Sequence, residues 1–112
     1  MTKVLLVCGA DGCFKSCSAK GHAFFAARGR DIVCSAETLL LRTAISVLEK
    51  TGGIKLSCDA SERGSLAFSV EVQGHSAELA ERLRCTADFI RDGISSLSEE
   101  YPGCLLLKGI IE

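Results

Sequence analysis

Ile54-Lys55-Leu56-Ser57-Cys58-Asp59-Ala60, followed by Leu66-Ala67-Phe68-Ser69-Val70-Glu71-Val72-Gln73-Gly74-His75-Ser76, is the stretch on which the fold turns. Apolar and polar residues alternate in both parts, the period of a half-buried strand. Between them Ser61-Glu62-Arg63-Gly64-Ser65 carries turn residues, so the two strands form a hairpin. Gln73-Gly74 stops the second strand, and Ser76 is a favourable N-cap. From there the spacing changes to three and four, through Leu79, Leu83, Ala87, Ile90, Ile94, Leu97 and Tyr101. That is one face of a long helix, closed by Pro102-Gly103. A helix with one apolar face, laid on a hairpin with one apolar face, is the unit of a two-layer α+β domain.

The preceding half repeats the plan. Lys3 to Cys8 reads as a strand, Gly9-Ala10-Asp11-Gly12 as a turn, and Cys13 to Lys20 as the return strand, broken by Gly21. Asp31 is expected to cap a helix running from about Ile32 or Ser35 to Lys50. Its buried face is expected to carry Ala36, Leu40, Ala44, Val47 and Leu48, with Leu41 and Ile45 beside it, and Thr51-Gly52-Gly53 ends it. Cys104 to Ile111 reads as a last strand interrupted at Lys108-Gly109. The expected architecture is a single domain over residues 1–112. It has the order ββαββαβ and a mainly antiparallel sheet with two helices packed on it.

The chain of 112 residues suits one domain, and 47% hydrophobic with 24% charged residues is the balance of a globule. No apolar run approaches the roughly 18 residues of a membrane span. A formal net charge of −1 recruits neither nucleic acid nor an anionic membrane. Seven cysteines, an odd count behind an N-terminus that reads as a strand, argue against a disulfide scaffold and for thiols in a reducing compartment.

Thiol chemistry needs a thiolate, a base in reach and donors for an oxyanion. Cys34 is expected in the first turn of the first helix, where the macrodipole and free N–H groups favour an anion. Those N–H groups, that of Cys34 among them, would later hold an oxyanion. His75 and Cys85 are separated by about 15 Å of helix and cannot meet locally. His22 lies twelve residues before Cys34, across a segment with Gly29 that can fold back over the helix start. Free cysteine is most often a small buried hydrophobe, and these two residues alone leave that plainer reading ahead.

Gly21-His22-Ala23, then Gly29, then Asp31-Ile32-Val33-Cys34-Ser35-Ala36, resembles the signature of the ribosomal-processing cysteine protease family Prp. Glu99-Glu100-Tyr101-Pro102 is similar to the family's usual end of the second helix. The resemblance implies a small cytoplasmic endopeptidase, usually homodimeric, with no cofactor. It would remove an N-terminal extension from large-subunit ribosomal protein twenty-seven, cutting after aromatic residues, in support of ribosome assembly. It implies Cys34 as nucleophile and His22 as base, with Gly21, Asp31 and the Thr38 hydroxyl in the same motif. Phe24 and Phe25, beside Gly29, would meet an aromatic substrate segment, or would only tuck onto the sheet. The chain departs from the pattern at Ser35, where Ala is usual, and at Thr38, where Ser is usual. Glu37 replaces an aliphatic residue, and a carboxylate there would raise the thiol pKa if it pointed inward, but it can equally face solvent.

Two other classes stay open, besides a catalytically inactive ribosome-associated relative. A zinc module could draw on Cys13, Cys17, His22 and Cys34, but on one strand Cys13 and Cys17 stand about 13 Å apart, too far to share a metal. Gly9-Ala10-Asp11-Gly12 matches the bare GxxG of a KH loop, but here it joins two strands and carries an acid. Lys15, Lys20, Arg28 and Arg30 are basic, and a solvated surface accounts for them.

Overall fold

A computed structural model describes residues 1–21, 30–62 and 64–112, with 30 and 31 described by their backbone alone. The elements are β1 (Thr2–Cys8), β2 (Phe14–Lys20), α1 (Arg30–Glu49), β3 (Ile54–Asp59), β4 (Ser65–Val72), α2 (Ala77–Glu100) and β5 (Leu105–Ile111). The order is the expected ββαββαβ. The five strands form one sheet in the order β3-β4-β2-β1-β5. Every pairing is antiparallel except β1 with β5, which is parallel.

This topology places both helices on one face. α1 connects β2 to β3 and α2 connects β4 to β5, and each connection joins two strands that point the same way. The two connections cross the sheet in opposite directions between strand pairs that themselves run oppositely. Right-handed crossovers in both cases therefore land on the same side. The core lies between: Val4, Leu6, Cys17, Ala19, Phe68 and Leu105 from the sheet meet Val33, Leu41, Leu48, Leu83, Ile90 and Ile94 from the helices. The helices approach closely at Gly93, where a Cβ would fall 3.1 Å from the Leu40 Cγ. Among the described residues no helix is long and apolar enough to cross a membrane.

Ser76 caps α2 as expected, its extended backbone letting the hydroxyl accept from the Leu79 amide at 3.0 Å. Four local readings change. The helix α1 begins at Arg30, so Asp31 lies inside its first turn rather than ahead of it. Its buried line is Val33, Glu37, Leu41, Ala44 and Leu48, while Val47 is 38% exposed. The expected stripe is thus rotated toward Glu37, a position that a charged residue hides from any hydrophobic count. Cys13 precedes β2 and lies in the turn, where its amide donates to Asp11 Oδ1 and its thiol to the Ala80 carbonyl. A register shift opposite Val7 and Cys8 then turns both Phe14 and Cys17 toward the core, and the Phe14 and Phe68 rings stack 5.4 Å apart. Finally, β5 runs unbroken through Lys108-Gly109, since each of these residues pairs with β1.

Candidate active site

At the end of the sheet where β2 and β3 finish and β1 and β4 begin, α1 does not close down on the strands. A cavity of about 290 Å³ remains. Its helix wall is Cys34, Glu37, Thr38 and Arg42, which share one face of α1. The sheet wall is Thr2, Ala19, Gly21, Ser65 and Leu66, and the turn before β4 adds Ala60, Glu62 and Gly64.

Backbone contact makes the sheet wall. The Gly21 amide donates to the Gly64 carbonyl at 3.0 Å. A Cβ on Gly64 would stand 2.6 Å from the Gly21 carbonyl oxygen, and one on Gly21 would stand 3.2 Å from the Thr2 Cα. Gly64 also has φ +78, which disfavours any side chain. The turn leading in is held by Asp59, whose Oδ1 accepts from the Ser61 amide and hydroxyl.

Of the residues singled out in the sequence, Cys34, Gly21 and Thr38 line this one cavity, with Cys34 half-buried. Asp31 lies in the first turn of α1, by its backbone. His22, Phe24, Phe25 and Gly29 fall outside the described residues. The early start of α1 also changes the oxyanion expectation. Four residues into the helix, the Cys34 amide is committed to the i→i−4 ladder, so the free donors are those of the turn before it.

Glu37 is the residue that sequence reasoning undervalued. It is 7% exposed and lines the cavity one turn beyond Cys34. The Thr38 hydroxyl donates to its Oε2 at 3.2 Å. Burial pushes its carboxyl above the ordinary value of 4.5, against a smaller lowering by that hydroxyl. The ion pairs among the described residues are Arg84–Glu81 and Arg91–Asp88, both on α2, so Arg42 does not neutralise Glu37 by direct contact. The i, i+3 spacing from Cys34 was the available signal. In the core, the Cys17 thiol of β2 is pushed up to about 12, first by burial and then by the Glu37 and Cys8 charges. Burial likewise raises the Cys13 and Cys58 thiols.

This predicts an effect on stability. A carboxyl whose folded pKa is raised favours folding below the ordinary value and loses that contribution as pH rises through the folded value. Glu37→Leu is therefore expected to raise the melting temperature at pH 7 by about 4 °C or more, for roughly 1 kcal/mol. The difference should close as the pH falls toward 4.5, the ordinary value. Melting curves across that range check it, and a gap that widens in acid would contradict it.

Among the described residues no three His, Cys, Asp or Glu side chains gather to hold a metal ion. The chain resembles solved structures over nearly its whole length. A crystal structure of SMU.848 from Streptococcus mutans matches with a TM-score of 0.77 at 21% identity, covering 100% of this chain and 96% of that one. The ribosomal processing protease Prp from S. aureus, in complex with a substrate peptide, matches with a TM-score of 0.78 at 14% identity, covering 98% and 100%. The same protease with a covalently linked product peptide gives 0.73 at 17%, again covering 98% and 100%. At these identities the likeness is one of fold. No curated protein sequence matches the chain. The family model described as cysteine protease Prp matches residues 1–105, which takes in every strand start and helix that frames the cavity. With a cysteine opening onto that cavity and the match spanning both layers of the fold, the chain belongs to the cysteine protease Prp family.

Proposed function

We propose that this protein is an endopeptidase that removes the N-terminal extension of large-subunit ribosomal protein twenty-seven, acting in the cytoplasm as a homodimer. The observation that carries the reading is the family match over residues 1–105, taken with Cys34 on the wall of the cavity between α1 and the sheet. The solved S. aureus relatives, with substrate and covalently linked product peptides, support a peptide as the bound partner.

In this reading Cys34 is the nucleophile and His22 the base. His22 takes the thiol proton, and the Cys34 sulfur adds to the peptide carbonyl, forming a C–S bond and an oxyanion. Free amides in the first turn of α1 hold that oxyanion. Collapse breaks the C–N bond as His22 protonates the leaving amine. Water, deprotonated by His22, then attacks the thioester and returns the thiol. Gly21 sets the backbone just before His22, Thr38 holds the Glu37 carboxyl, and Asp31 adds negative charge to the helix start. Phe24, Phe25 and Gly29 are assigned to substrate contact.

The test is incubation with a peptide copying the extended ribosomal protein from the same genome, read by mass spectrometry. One cut after an aromatic residue is expected, and an intact peptide would overturn the reading. Iodoacetamide at neutral pH is expected to label Cys34 ahead of the other thiols and to leave Cys17 unmodified in the folded protein. Uniform labelling would argue against an activated thiolate.

A further inference from the structure

The outer strands of the sheet are β3 and β5, and they present different edges. β3 carries Lys55, Ser57 and Asp59, and charged or polar side chains of this kind blunt an edge. β5 pairs with β1 in unbroken register from Leu105 to Ile111, without a bulge or a proline. Its one charge is Lys108, while Leu106, Ile110 and Ile111 are exposed, Ile111 by 76%. The parallel ladder decides which backbone groups of β5 face outward. The Thr2 amide donates to the Cys104 carbonyl, and the Glu112 amide donates to the Cys8 carbonyl. Alternate residues from Cys104 to Glu112 therefore bond to β1, and Leu105, Leu107, Gly109 and Ile111 point away from it. The Leu105 carbonyl accepts from the Ser98 hydroxyl at 3.0 Å. Leu107, Gly109 and Ile111 remain as a row of donors and acceptors along the edge. They lie toward the end of β5 beside Cys8, away from Gly21 and Gly64, next to which the undescribed residues begin. They also lie beyond residues 1–105 of the family match, so this edge is read from the chain's own residues.

We infer that β5 pairs antiparallel with β5 of a second copy of this chain, about a two-fold axis at Gly109. Gly109 then stands opposite the partner's Gly109, and Leu107 opposite the partner's Ile111, each pair exchanging two N–H···O bonds. The edge is self-complementary, as an isologous interface requires. Leu107 and Ile111 share the helix-side face with Leu105 and Cys8, so their pairing covers the exposed Ile111 side chain. On the opposite face Lys108 lies diagonal to the partner's Glu112, within reach of an ion pair. The charge that protects a lone edge is thereby complemented across this one. The neighbouring registers are poorer. One sets Lys108 directly against the partner's Lys108 and calls on the Leu105 carbonyl, which already accepts from Ser98. The other leaves Leu107 without a partner. Two-fold pairing also reverses one copy against the other. β5 begins at the cavity end of the sheet, so the two cavities lie at opposite ends of the joined sheet and stay clear of the interface.

The inference gives a surface to the homodimer of the proposed function and rests on that part of the reading alone. Sedimentation velocity on the full chain, from about 1 to about 200 µM, is expected to show a monomer–dimer equilibrium, since two short edges make an interface at the small end of the range. Ile111→Lys places a charge against the partner's Leu107 and is expected to raise the dissociation constant about tenfold or more. Ser57→Lys, on the edge strand β3, is expected to leave it unchanged. Both positions are exposed, so both variants should melt as the wild type does. Register is tested by Gly109→Cys, where a Cβ meets nothing within 4 Å. Mild oxidation is expected to join residue 109 of the two copies by a disulfide, identified by mass spectrometry of the unreduced digest. Cross-links through the exposed Cys58 or Cys85 are told apart by their own peptides. A dimer indifferent to Ile111→Lys, or one that gives no link between the two residues 109, would overturn the β5 pairing while the homodimer stands. A wild type that stays monomeric throughout would overturn both. Peptide cleavage by Ile111→Lys at the wild-type rate is expected in either case, because the cavities are separate from the edge.

Discussion

Cys34→Ser is expected to lower kcat/KM by at least about a thousandfold, and His22→Ala by a similar factor. Serine keeps a hydroxyl in nearly the same place, but its proton is far harder to remove than that of a thiol, and its oxygen is a weak nucleophile without strong activation. The two losses should not add. Removing either member of a unit that works by passing one proton abolishes the same step, so the double variant should sit close to each single one. The loss should also be local. Cys34 is only half-buried, so its replacement by serine should leave the melting temperature within a few degrees. Normal turnover by either variant, measured on a peptide that the wild type cuts, would remove the dyad.

The largest expected effect on stability lies at Gly64. Alanine there combines a conformation that L residues avoid, φ +78, with a Cβ 2.6 Å from the Gly21 carbonyl oxygen. Neither partner is the loose end of a side chain, since both are backbone. The cost is about 2 to 4 kcal/mol, enough to lower the melting temperature by about 10 °C or more. Gly109→Ala is the matched control, because a Cβ on that β5 residue meets nothing within 4 Å. It is expected to be neutral or slightly stabilising. Equal melting of the two variants would contradict the role given to the Gly21–Gly64 contact. Activity should fall with Gly64→Ala even below its melting point, because that contact is a wall of the cavity.

Much of the fold was legible because its signals are local. The hairpin of β3 and β4 follows from alternation, and α2 from Ser76, its stripe and Pro102-Gly103. The start of α1 was not legible, because Arg30 and Asp31 carry no apolar residue to mark a period. The parallel pairing of β5 with β1 was not legible either, since it joins opposite ends of the chain and leaves no local trace. At the site, a cysteine-bearing motif could be read from residues in sequence. The sheet wall of Thr2, Gly21 and Gly64 could not, because it exists only when three distant segments are brought together. Glu37 was masked by its own chemistry, since a reading that looks for apolar residues on the inner face of a helix skips a buried acid.

The same long-range pairing governs when the cavity can exist. The Thr2 amide donates to the Cys104 carbonyl at 3.0 Å, and Thr2 stands opposite Leu105 at the start of β5. Thr2 is also part of the cavity wall. Until β5 docks, β1 is an edge strand with Val4 and Leu6 incompletely covered, and nothing on that side holds Thr2 against Gly21. Closing a loop of this length is slow compared with forming either hairpin. During synthesis the two ββα units can assemble as they emerge, but the cavity beside Cys34 is completed only after the final strand is free of the ribosome. The thiol thus gains its finished surroundings last, at the step that also fixes the whole fold.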